Sequence, residues 1–127
     1  MVDILLVGAG GFVGANARFM VSSWFARRFG TAFPYGTFFI NVTGSFILAL
    51  FLTLATRSIL AEEAYRWLIA VGFCGGYTTF STYTYETLTL LREGRYSRGW
   101  LGNLLGSYLG GLLAALLGVW VGNGLSI

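Results

Sequence analysis

Gly72-Phe73-Cys74-Gly75-Gly76-Tyr77-Thr78-Thr79-Phe80-Ser81-Thr82 interrupts an apolar stretch that runs from Trp67 to Leu91. A plain membrane-spanning helix would avoid such a run of glycines and hydroxyls. Backbone polar groups at bilayer depth must be satisfied, so a helix is unwound there only where protein or a hydrated cavity supplies partners. Broken helices of this kind recur at ion and substrate sites. The run predicts a third span broken near its middle, and marks that break as the working site.

The rest of the chain puts this segment in a bilayer. Of 127 residues, 56% are hydrophobic, 17% aromatic and only 10% charged, too apolar for a soluble domain of this size. Crossing the hydrocarbon core takes about 20 mostly apolar residues. Four stretches qualify: 4–25, 35–55, 67–91 and 100–121. Together they predict an all-α membrane protein with one four-helix domain over 1–127. The connections are short and hold most of the charge, which excludes catalysis in an extramembrane domain. The N-terminus carries Asp3 in place of a basic region, so the first apolar stretch reads as retained. Cys74 is the one cysteine and histidine is absent, leaving familiar zinc and haem arrangements without ligands. The net charge of +3 comes with no basic run interleaved with aromatics, so nucleic acid is not an expected partner.

Outside the spans, Arg27, Arg28, Arg92, Arg95 and Arg98 stand on one side and Arg57 and Arg66 on the other. By the positive-inside rule this bias places the first and third connections in the cytoplasm, yet it is small enough to leave mixed insertion open. The spans also carry many polar residues for so thin a bundle, among them Asn16, Arg18, Asn41, Thr43, Ser45, Ser81, Asn103 and Ser107. A second copy would help to satisfy them. Gly10 with Gly14, and Gly102, Gly106 and Gly110, have the four-residue spacing that lets helix backbones approach closely. Packing within one subunit and packing between two use the same glycine face.

The run Val7-Gly8-Ala9-Gly10-Gly11-Phe12-Val13-Gly14 imitates a dinucleotide-binding turn. That fold needs a preceding strand and an acidic residue about 20 positions on; here Arg27 and Arg28 fall in that region, and helix packing is the better reading. Arg18 lies inside the first span, where a charge costs at least about 2.5 kcal/mol unless it snorkels or is paired. It reads as an anchor reaching toward Arg27 and Arg28, with a secondary role as a positive charge gathering anions at a vestibule. Asn41 needs several hydrogen-bond partners in hydrocarbon; its N–H donors suit an interhelical bond or a passing anion. Phe80 and Tyr83 share a face if helix resumes after the break, with Ser81 adjacent. Ring edges carry partial positive charge, so they could meet a dehydrating anion, although aromatics in apolar spans usually pack. Glu86 follows one turn later and fits a wet vestibule, a swinging position or an arginine partner. Asn103 and Ser107 form a polar track at four-residue spacing or a helix contact.

Taken together, Gly14-Ala15-Asn16-Ala17-Arg18, Pro34-Tyr35-Gly36-Thr37 with Asn41 and Gly44, and the run 72–82 resemble the Fluc fluoride channels, also called the CrcB family. The similarity covers the whole chain. The resemblance implies an antiparallel, dual-topology homodimer in the cell membrane, through which fluoride leaves the cell passively. It further implies a structural sodium ion at the dimer centre, held by the backbone carbonyls of Gly75 and Thr78. It maps the fluoride pathway to Asn41, Phe80, Ser81 and Tyr83, matches Glu86 to a mobile acidic residue, and matches Arg18 to the first-span arginine. Two departures stand out: position 83 is usually phenylalanine, and the fourth-span track, often tyrosine then serine, falls here on Asn103 and Ser107.

A small multidrug exporter is also built from four short helices, but it needs a buried carboxylate in its first span, where this chain has arginine. A non-transporting packing subunit would account for the glycine faces and leave Asn41 and the hydroxyl cluster unexplained.

Overall fold

The computed structural model describes residues 1–56, 62–94 and 98–125. Arg57 and Arg95, counted above, lie outside them. The described residues form helices and no strand: α1 (Val2–Phe29), α2 (Tyr35–Ala55), α3 (Glu63–Tyr65), a π-helical stretch (Arg66–Phe73), α4 (Cys74–Tyr77), α5 (Phe80–Glu93) and α6 (Gly99–Leu125). Three of these, α1, α2 and α6, are long and apolar enough to cross a membrane. The stretch expected to form a third, broken span consists of helical pieces on either side of Thr78 and Thr79, as the glycine and hydroxyl run predicted. Helices α1 and α6 run several residues beyond the stretches marked from composition. Gly94, at φ 58°, ends α5 in the left-handed conformation that glycine adopts without penalty.

Two pairings organise the chain. Helix α2 lies along α6, and α1 lies along the π-helical stretch and α4. Small residues make both possible. A Cβ at Gly10 would run into the carbonyl of Leu68, and one at Gly14 into the carbonyl of Phe73 and, at 2.9 Å, the amide of Tyr77. The Gly10–Gly14 face is therefore spent inside the subunit. On α6, Gly118 meets the α2 backbone at Phe46 and Leu50, and Gly122 meets Thr53. Of the expected α6 glycines, Gly110 faces Phe38 and Val42, whereas Gly102 has open space beside it.

The core is slim. Ile40, Phe51, Ala55, Cys74, Tyr77 and Leu90 are buried, while Phe12, Phe19, Leu113 and Trp120 remain largely exposed on the outer faces of α1 and α6. In the apolar windows of α1, α2 and α6 only 11%, 22% and 6% of residues are buried. A water-soluble chain would not leave so much continuous apolar surface uncovered.

Candidate functional site: a helix break clamped by Asn41

Helix stops at Thr78 (φ −80°, ψ 159°) and Thr79 (φ −150°, ψ 120°), both extended. Side chains from other helices take over the backbone there. Asn41 of α2 donates from Nδ2 to the Thr79 carbonyl at 3.0 Å, and its Oδ1 accepts from the Thr79 amide at 2.9 Å. One primary amide thus pairs with both polar groups of one residue, as a neighbouring strand would. Thr79 in turn caps α5: its Oγ1 accepts from the Thr82 amide at 3.2 Å, the usual way an N-cap hydroxyl satisfies a free first-turn donor.

These bonds decide which carbonyls are bared. In an uninterrupted α-helix Gly75 O would accept from the Thr79 amide and Thr78 O from the Thr82 amide, each four residues on. Asn41 has taken the first donor and the Thr79 hydroxyl the second. Gly75 and Thr78 are left with carbonyl oxygens that have lost their helical partners, and these are the two positions singled out by the resemblance. Gly75 is exposed and has nothing within 4 Å of where a Cβ would project. Thr78 O receives Arg18 Nη1 at 3.4 Å. Arg18 therefore does not reach toward Arg27 and Arg28: it follows Gly10 and Gly14 at four-residue intervals along the α1 face that packs on α4, and that face points it at the break. A guanidinium there also suits the negative end of the preceding helical turns.

Beside the break is a cavity of about 490 Å³ lined by Asn41, Ser45, Gly75, Thr78, Thr79, Phe80, Tyr83 and Ser107, among others. It gathers six of the ten residues singled out from sequence: Asn41, Gly75, Thr78, Phe80, Tyr83 and Ser107. Phe80 is 78% exposed, and its ring lies 5.8 Å from that of Tyr83 at 45°. The Tyr83 hydroxyl is occupied, donating to the Leu104 carbonyl of α6 at 3.2 Å. Ser81 does not line the cavity; its hydroxyl lies 3.3 Å from that of Thr79, which does. Asn103 is placed differently: fully buried, it donates to Thr87 Oγ1 at 2.8 Å and accepts from Ser107 Oγ at 3.3 Å. It joins α6 to α5 behind the cavity and does not line it.

A second cavity, about 410 Å³, lies where the ends of α1 and α2 meet α5, and Glu86, Glu93, Thr37, Thr82 and Thr89 contribute to its wall. Glu86 Oε1 accepts from Thr37 Oγ1 at 3.0 Å, while Oε2 is buried without a partner among the described residues. Of the alternatives open from sequence, the described residues give Glu86 a hydroxyl partner and no arginine. Thr82 lines this cavity and Thr79 the other, and their hydroxyls meet at 3.0 Å. That pair stands between the two cavities. Sequence reasoning quoted Thr37, Thr79 and Thr82 without giving them roles. The Thr79-to-Thr82 spacing before a helix was the one usable signal, while Thr37 and Glu86 are 49 positions apart with no pattern to connect them.

The family described as "CrcB-like protein, Camphor Resistance (CrcB)" matches residues 5–119. The chain belongs to the CrcB family. Its relatives match over most of their lengths. A fluoride-specific ion channel FluC of Koribacter versatilis (strain Ellin345) is 47% identical over 103 residues, 81% of each chain. The FluC of Acidobacterium capsulatum is 48% identical over 118 residues, 93% of this chain and 90% of the relative. That of Chloroflexus aurantiacus (strain ATCC 29366 / DSM 635 / J-10-fl) is 43% identical over 122 residues, 96% of each. These CrcB relatives are named as ion channels, not enzymes. Three helices able to cross a membrane agree with a multi-pass CrcB protein.

Proposed function

We propose that this chain is a fluoride-selective channel of the cell membrane that lets fluoride leave the cytoplasm passively. The observation that carries the reading is the donor-lined cavity at the helix break, in a chain whose CrcB relatives are named fluoride-specific. Fluoride is small and strongly hydrated, so a pore must replace its water with closely placed donors. Asn41 commits one Nδ2 hydrogen to Thr79 and keeps a second for the anion. The Phe80 and Tyr83 ring edges and the Ser107 and Ser81 hydroxyls complete the donor set; Asn103 acts behind them by orienting Ser107. Glu86 and Arg18 flank the path, the carboxylate in the cavity beyond the Thr79–Thr82 pair and the guanidinium at the break.

The working unit we propose is an antiparallel, dual-topology homodimer of four-span subunits, each a single domain, with residues 63–93 forming the third, broken span. The exposed Gly75 face and the sparse burial of α1 and α6 support a second copy. A structural sodium ion at its centre would be held by Gly75 O and Thr78 O of each copy. Carbonyl oxygens freed from helical donors are hard ligands of the kind such a cation takes, and the Gly75 cradle is open to it. Bound there, the ion would lend the two breaks a shared positive charge without being transported. Fluoride efflux from liposomes holding the purified protein tests the function. Rapid fluoride release with chloride retained is expected, and a folded, inserted protein that releases no fluoride overturns it.

A further inference from the structure

Gly75 O and Thr78 O have both lost their helical donors, but among the described residues only Thr78 O has a replacement. The Arg18 guanidinium reaches Thr78 O at 3.4 Å, a long bond from a group that stays charged at any working pH. Its backbone is held close to this segment one turn earlier, where Gly14 lies so near that an added Cβ would run into the Phe73 carbonyl and the Tyr77 amide. The side chain alone is free to move. A guanidinium and a metal ion on the same carbonyl oxygen repel one another across a partly dehydrated space, where charges are poorly screened.

Resting on the sodium reading above, we infer that Arg18 and the central cation are alternative occupants of the Thr78 carbonyl. The guanidinium caps the break while no ion is present and swings off when the ion binds. Arg18 is thus a positioning residue that sets how much sodium the protein needs. With two copies sharing one ion, two guanidiniums must leave for it, so the cost is incurred twice. The apparent sodium affinity is then weaker than the oxygen cage alone would give.

Thermal unfolding of the full-length purified protein, with sodium titrated against N-methylglucamine at constant ionic strength, separates the outcomes. Wild type should melt higher as sodium rises. Arg18→Gln should melt lower than wild type without sodium, close that gap at saturating sodium, and reach half-maximal stabilisation at about tenfold less sodium. Arg18→Lys keeps the charge and should keep the wild-type midpoint. A merely structural arginine would lower the melting temperature of Arg18→Gln equally at every sodium concentration with the midpoint unmoved, and that result overturns the inference, as does an Arg18→Gln protein that stays unfolded in saturating sodium. If wild type itself ignores sodium, the sodium reading fails and takes this inference with it.

Discussion

Asn41→Asp is the sharpest single test of the clamp and of the pathway together. The aspartate keeps the shape of asparagine and one oxygen to accept from the Thr79 amide, now 2.9 Å from Oδ1. The other oxygen replaces Nδ2, which donates to the Thr79 carbonyl at 3.0 Å, and brings two acceptors face to face. Losing a donor to a buried carbonyl costs about 1–3 kcal/mol. The added charge acts on the permeant ion as well: at about 5 Å and an effective dielectric of about 20, two anions repel by about 3 kcal/mol. Placed on a barrier, that is about a hundredfold in rate. The expected result is a folded protein, melting about 3–15 °C lower, whose fluoride efflux from liposomes falls by two orders of magnitude or more. Asn41→Leu separates the two effects, because it removes both bonds and adds no charge. Its loss should be larger in stability than that of Asn41→Asp and smaller in flux than electrostatic block would give. Wild-type efflux from a correctly inserted Asn41→Asp protein would refute the placement of Asn41 beside the ion.

Gly14→Ala drives a methyl into the Phe73 carbonyl, and such overpacking costs about 1–3 kcal/mol; Gly8→Ala, with nothing within 4 Å, should keep or raise the melting temperature through alanine's better helix propensity, and equal behaviour of the two would contradict the α1 packing described. Gly75→Ala also meets no atom of its own subunit, so, if the proposed dimer packs at Gly75, helicity should survive while the dimer fraction in size-exclusion chromatography collapses; a dimer that survives the change would rule out Gly75 as its contact. Tyr83→Phe removes a single hydrogen bond, to Leu104, and should cost about 1 kcal/mol of stability with fluoride-over-chloride selectivity retained. A changed selectivity would mean that the hydroxyl, and not only the ring edge, faces the ion.

What could be read from sequence was whatever repeats or breaks along the chain itself. Continuous apolar runs gave α1, α2 and α6 to within a few residues at most ends, because hydrocarbon thickness fixes both length and composition. The Gly75-to-Thr79 interruption gave the break, since glycines and hydroxyls have no reason to sit there otherwise. The partners were not legible. Asn41 and Thr79 are 38 positions apart, Glu86 and Thr37 are 49 apart, and Asn103 finds Thr87 across two helices. No periodicity encodes such pairs. Arg18 misled for a related reason: the membrane-interface rule looks along the helix axis toward Arg27 and Arg28, while the glycine ladder ending in Arg18 looks sideways to Thr78. Gly118 and Gly122 were overlooked because α6 is glycine-rich throughout, so spacing alone did not distinguish the residues that touch α2.

The π-helical stretch Arg66–Phe73 makes chain length, and not only residue identity, part of the mechanism. Its bonds span five residues instead of four, a winding that accommodates an extra residue and recurs at functional positions. Deleting one residue from it would let the segment relax to ordinary coiling and leave everything downstream close to its present phase. Adding one, with the slack of the π winding already used, would turn the chain beyond it by about 100°. Every side chain of the 72–82 run would survive such an insertion, yet the Thr78 carbonyl would rotate away from Arg18 and Thr79 would swing out of Asn41's reach. Homologues should tolerate substitutions and a single gap between positions 66 and 73, but no insertion.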